Sequence, residues 1–226
     1  MRKKYIIMIN KSILILLLFS ILSCTNNDKS FDTVSINGNR WMTKNLNVSK
    51  FRNGEKIPQV KNNNQWQYYF KLHKPAWCYY NNDEKFGKYI GKIYNVYAIL
   101  SYKGLAPEGF HIPNKKEILS LREGSGGSQN SGLYLKSQKF WSNYFGENSL
   151  FFNAFPVGLR NDNGCFGLLG EYGVWIGLEF DKLSNSVYNP TVVYYLNNHN
   201  NYFKVNDNTK NNYEYFNSGY IRCIED

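Results

Sequence analysis

Beyond residue 33 the apolar residues come in short runs separated by Asn and Gly, and this punctuation limits the chain to small sheets tied by turns. Thr33-Val34-Ser35-Ile36 and Asn39-Arg40-Trp41-Met42 flank Asn37-Gly38. Both centres of a two-residue hairpin turn need positive φ, which Asn and Gly adopt most easily, so a hairpin is expected with Trp41 as core. Residues 44–75 read as loops with extended pieces near Leu46 and Ile57, and Asn62-Asn63-Asn64 as a turn. Residues 94–102 suit a buried helix. Asn114 can cap a second helix with Glu117 as its capping-box partner, and Gly124 to Ser128 then reads as a plain loop. Residues 150–155, 173–178, 191–196 and 219–224 read as further strands. Short strands, many turns and two helices argue for one α+β domain, without internal repeats.

The N-terminus has a different character. Arg2, Lys3, Lys4 and Lys11 precede a run from Ile13 to Leu22 broken only by Ser20. That run is about half the ~20 residues needed to span a bilayer. A charged start, a short apolar centre and a small residue before the cut describe a secretory signal over residues 1–23. Cys24 follows Ser23 directly, which resembles the lipobox of bacterial lipoproteins. An acylated Cys24 would hold the chain in the lipid bilayer, with residues 24–32 as a polar tether and 33–226 as the domain. The expectation is therefore a membrane-anchored lipoprotein of the bacterial envelope, at the outer membrane, with the periplasmic or surface face left open. A start at Met8 would leave the same signal with Lys11 as its charged region.

The formal net charge is +10, and loss of residues 1–23 removes four basic residues and no acidic one, leaving +6. The excess is dispersed, so nucleic-acid binding is not expected. Cys78, Cys165 and Cys223 remain after Cys24, enough for one disulfide and one free thiol in an oxidising compartment. No spacing suggests a metal site, and His73, His111 and His199 stand apart in sequence. His111 reads as a structural histidine bonded to backbone. No serine elbow and no framed acidic pair are present. A non-catalytic chain without cofactor or metal is the expectation.

Aromatic residues make up 17% of the chain, more than one modest core needs. Aromatic faces stack on sugars and Asn side chains both donate to and accept from hydroxyls. Asn, Lys, Tyr and Phe also share AT-rich codons, so composition alone does not single out a glycan surface. Among rings in or near Asn-rich loops, Trp175, Tyr188, Tyr194 and Tyr202 are the candidate ligand-binding residues, for a glycan or an envelope protein. A structural or assembly subunit of the envelope is the alternative.

Several blocks resemble the Fibrobacter succinogenes major paralogous domain family. They are Gly38 to Leu46 (GNRWMTKNL), Trp77 to Asp83 (WCYYNND), Gly91 to Ala98 (GKIYNVYA) and Ala106 to Pro113 (APEGFHIP). Leu135-Lys136-Ser137 with Trp141, Phe155 to Arg160 (FPVGLR) and Ile221 to Asp226 (IRCIED) follow in order. The resemblance implies a C-type-lectin-like or formylglycine-generating-enzyme-like fold, with a small twisted sheet, two helices, long loops and adjacent first and last strands. It implies little about activity. Ala106 stands where the family usually has cysteine. If that cysteine pairs with the one near the chain end, Cys223 has lost its partner, and either Cys78 or Cys165 substitutes or Cys223 is a free buried thiol.

Overall fold

Asn37 (φ 48°) and Gly38 (φ 83°) turn strand β1 (Thr33–Ile36) into β2 (Asn39–Met42), with Ile36 opposite Asn39. The turn conformation is the one that an Asn-Gly pair favours. A computed structural model describes residues 31–143, 145–179, 191–207 and 217–226, and Asp32–Asp226 make one compact unit.

Three small sheets carry the fold. Strand β12 (Ile224–Glu225) places Ile224 opposite Trp41 of β2, and β5 (Phe110–His111) lies on its other side. The first hairpin and the last strand therefore pair, giving the order β1-β2-β12-β5. A second sheet joins β3 (Trp77–Cys78), β4 (Ile93–Asn95) and β11 (Ser218–Gly219) in the order β11-β4-β3. The largest contains β6 (Val157–Arg160), β7 (Phe166–Leu169), β8 (Tyr172–Leu178), β9 (Thr191–Asn197) and β10 (Lys204–Asp207), ordered β10-β9-β8-β6-β7. The amide of Ile176 donates to Tyr220 O at 2.9 Å and that of Leu178 to Pro113 O at 2.8 Å, so β8 is stitched to the segments around it.

Helices are more numerous than the expected two. They are α1 (Asn63–Lys71), α2 (Glu84–Ile90), α3 (Val96–Ile99), α4 (Lys115–Gly124) and α5 (Gly127–Leu135). The Asn triplet is a helix start: Asn62 Oδ1 accepts the Gln65 amide at 2.8 Å, and Trp66 is the only buried residue of α1. One apolar anchor leaves no periodicity to read. Asn95 splits the expected helix at 94–102, because its Oδ1 accepts the amides of both Ala76 and Ala98, ending β4 and starting the single turn α3. Helix α4 has the expected capping box, with Asn114 Oδ1 taking the Lys116 and Glu117 amides and Glu117 Oε2 taking the Asn114 amide. The expected loop after it is only a left-handed turn at Gly126, and α5 begins at once.

Residues 150–155 are not a strand. Asn148, Phe151 and Asn153 all have positive φ, and the carbonyls of Phe152 and Asn153 accept from the Arg222 guanidinium instead of a neighbouring strand. The core centres on a ring cluster: Trp41 meets Phe152 edge-on at 5.8 Å, Phe152 meets Trp175 at 6.2 Å, and Tyr194 stacks on Phe203 at 5.8 Å.

Candidate functional site

Trp175 and Tyr194 lie in the core, not at the surface. They are cross-strand partners on β8 and β9, fully buried, with rings stacked at 5.8 Å and 24°. Both faces of these two strands are largely covered, so the usual inside–outside alternation is missing from the sequence. Trp175 Nε1 donates to Asn45 Oδ1 at 2.8 Å, which fixes the indole in the core. Tyr202 is the candidate that is exposed, at 39%. Tyr188 and the lipidation candidate Cys24 lie outside the described residues.

Other exposed apolar residues are ones that composition did not single out. Phe140 (φ 73°), Phe151 (φ 55°) and Leu168 (φ 62°) are 68%, 66% and 38% exposed. Among the described non-glycine residues with positive φ, every other one is Asn or His, types that tolerate this region. Bulky side chains there cost roughly 1–3 kcal/mol each and cluster at functional sites. Here all three strained residues put apolar groups into water.

The loop carrying Phe140 and the turn that follows Leu168 at the end of β7 are held together at one end of the five-stranded sheet. The Phe140 ring meets the partly buried Phe155 at 5.6 Å. Ser142 donates to Gly170 O through its amide and hydroxyl, both at 2.9 Å. Asn198 closes the group, its Nδ2 donating to Ser142 Oγ at 2.6 Å and its amide to Glu171 O at 2.8 Å. Tyr202 stands in this last loop, with Lys204 Nζ 5.2 Å from its ring. Loops fastened to a rigid sheet are where recognition residues usually sit.

Among the described residues four cations are buried: Lys92, Lys136, Arg160 and Arg222. Arg222 donates to Asn45 Oδ1 from Nε (2.9 Å) and Nη2 (2.7 Å), and to carbonyls of Met42, Phe152 and Asn153, while lying 4.6 Å over the Phe152 ring. Arg160 is held between Trp66 and Phe166, 4.4 Å from each ring, and reaches Gly164 O, Asn82 Oδ1 and Asn63 Oδ1. Lys136 Nζ donates to Asn200 O at 2.6 Å over Trp141, and Lys92 Nζ to Asn47 O and Ser49 Oγ over Trp77. Burial pushes the Lys136 amine down to about 8 and the Arg222 guanidinium to about 10. Most of these oxygens, those of Asn45, Asn47, Phe152, Asn153, Gly164 and Asn200, come from irregular segments. The charges brace irregular backbone, since an unpaired buried carbonyl is costly.

These cations fall in the blocks GKIYNVYA, LKS, FPVGLR and IRCIED, and a family model, the Fibrobacter succinogenes major domain, matches residues 34–225. The chain belongs to that family. No curated protein and no solved structure matches it.

In this member of the Fibrobacter succinogenes major domain family the block around His111 also has a structural explanation. His111 Nδ1 lies 2.7 Å from Asp226 Oδ1 and Nε2 lies 2.8 Å from Glu117 Oε1. The partners are carboxylates, not the backbone expected from sequence, and they raise the imidazole to about 9, Glu117 having the larger effect. Charged His111 thus ties the C-terminal residue to the cap of α4, with both ring nitrogens engaged.

The three described cysteines are all free thiols, so the expected disulfide among them is absent. Cys78 is buried on β3, Cys223 is buried just before β12, and Cys165 is exposed after β6. Burial pushes Cys78 up to about 11 and Cys223 up to about 12, which keeps both as unreactive thiols. Ala106 is buried, and its carbonyl accepts from Arg52 Nε at 3.2 Å. Among the described residues no group of three or more His, Cys, Asp or Glu could hold a metal ion, and no helix is long and apolar enough to cross a membrane.

Proposed function

We propose that this protein is a non-catalytic recognition module of the bacterial envelope, anchored by an acylated Cys24 and binding an envelope protein through the surface segments that display Phe140, Phe151 and Leu168. The observation that carries the reading is that three bulky apolar side chains are held in water by unfavourable backbone angles. Such a cost is offset when a partner covers the side chains. Phenyl and isobutyl groups without hydrogen-bonding atoms favour a protein surface over a glycan. The non-catalytic reading is supported by the engagement of both His111 nitrogens and the burial of two thiols. The C-type-lectin-like view of the scaffold rests on the family resemblance and on pairing of the first hairpin with the closing strand. A glycan ligand retains one supporting observation, the exposed Tyr202 beside Asn200 and Asn201.

Photo-crosslinking in cells separates the readings. A photoreactive phenylalanine at position 140 gives a discrete protein adduct, and one at Tyr102, which is exposed at a different place, does not. Phe151→Ser abolishes the adduct and leaves the melting temperature within about 2 °C. Equal adducts at both positions would remove the loops from consideration. Binding on a glycan array that Tyr202→Ala destroys would select the sugar ligand, and oligomers without any partner would select the scaffold role.

A further inference from the structure

Away from those loops, a carboxylate is held half-buried with no ion-pair partner among the described residues. Asp162 lies in the turn after β6, and hydrogen bonds on either side of it fix that turn to α1: Trp66 Nε1 donates to Asn161 O at 3.1 Å and Gln67 Nε2 to Asn163 O at 2.6 Å. Asn217 brings it to the start of α3, its Nδ2 donating to Asp162 Oδ2 at 2.6 Å and its carbonyl accepting the Val96 amide at 2.8 Å. The next residue is Tyr97. Its ring carries His73 stacked at 5.0 Å and 28°, and Phe70 edge-on at 5.2 Å. His73 adopts φ 53° just past the end of α1.

Among the described residues no Lys, Arg or His forms an ion pair with Asp162. Burial raises its pKa, with only the Asn217 hydrogen bond opposing, and the Tyr97 hydroxyl is raised by its own burial first and by the Asp162 charge second. In a chain with a formal net charge of +10, a half-desolvated carboxylate with no ion-pair partner among the described residues is conspicuous, because leaving it unpaired is costly.

We propose that Asp162, with Tyr97, Phe70 and His73 beside it, is a subsite for an organic ammonium group, a primary amine on an aliphatic carbon skeleton. The carboxylate supplies the opposite charge in a partly desolvated setting, where the attraction exceeds its value in water. The neighbouring rings add cation–π attraction and apolar contact for the carbon skeleton. An anion is repelled, and a neutral group leaves the carboxylate uncompensated. A lysine side chain and an amino sugar both carry this chemistry.

The test is NMR titration of the purified chain with two ammonium probes, Nα-acetyl-lysine methylamide and glucosamine. Each is paired with a neutral counterpart, Nα-acetyl-norleucine methylamide and N-acetylglucosamine. At least one ammonium probe shifts the Tyr97 and Asp162 resonances saturably, and its neutral counterpart does not. Asp162→Asn weakens that binding at least tenfold while the melting temperature is retained, and Phe70→Leu weakens it by a smaller factor. Which probe binds more tightly assigns the source, protein or glycan. Saturation by a neutral counterpart, unchanged affinity in Asp162→Asn, or no saturation by either ammonium probe overturns the subsite. Phe151→Ser leaves these titrations unchanged, so failure here is distinct from failure of the loop-mediated interaction.

Discussion

Trp41 has no exposed surface, and its indole meets Phe152 at 5.8 Å and Tyr194 at 6.5 Å. Trp41→Ala removes the centre of that cluster and is expected to cost about 3–5 kcal/mol in urea denaturation. The indole N–H has no hydrogen-bond partner among the described residues, so Trp41→Phe loses packing alone and costs less. His111 makes a prediction in pH. Its pKa is about 9 against an ordinary 6.5, so the folded state holds the extra proton. The resulting stability is fully present below pH 6.5 and is lost as pH rises toward 9. Melting temperatures across that window fall more steeply for the native chain than for His111→Gln. Lys136 has the opposite sign, because a folded-state value near 8 below an ordinary 10.5 raises stability as pH climbs from 8 to 10.5. The His111→Gln comparison cancels that contribution.

At the scale of elements, local signals succeeded where one side chain determines a backbone geometry. The Asn37-Gly38 turn and the Asn114–Glu117 capping box depend on residues within four positions of each other, and both form as expected. Asn114→Ala removes the acceptor for two amides and is expected to cost about 1 kcal/mol, measurable as a lowered midpoint in chemical denaturation. Helix α1 was illegible because it is fastened by Trp66 and by side chains reaching a turn nearly a hundred residues later. The segment 150–155 looked like a strand because Phe-rich runs favour one. Two of its carbonyls, those of Phe152 and Asn153, are instead taken by Arg222, from the far end of the chain. Gly158 explains the β6–β7 pairing: at φ 67°, an added Cβ would lie 2.4 Å from Gly167 O.

For the molecule as a whole, the proposed anchor is open to a direct test. Cys24→Ala is expected to move the protein from the membrane to the soluble fraction and to abolish labelling by a palmitate analogue, since stable attachment needs more than one acyl chain. Retention in the membrane would assign attachment to another part of the chain. The sequence by itself determined the α+β class, the opening hairpin, the cap of α4, the burial of Trp41 and the family, because short-range patterns and ordered blocks carry that information. Only the tertiary structure decided which aromatic residues are core and which are surface. Trp175 and Tyr194 look like ligand-facing rings in sequence, yet both faces of their strands are covered, whereas Phe140 and Phe151 look like core and are turned outward by positive φ. The same holds for Lys92, Lys136, Arg160 and Arg222. A cation in a sequence reads as surface, and it becomes an internal brace only when distant carbonyls and rings close around it.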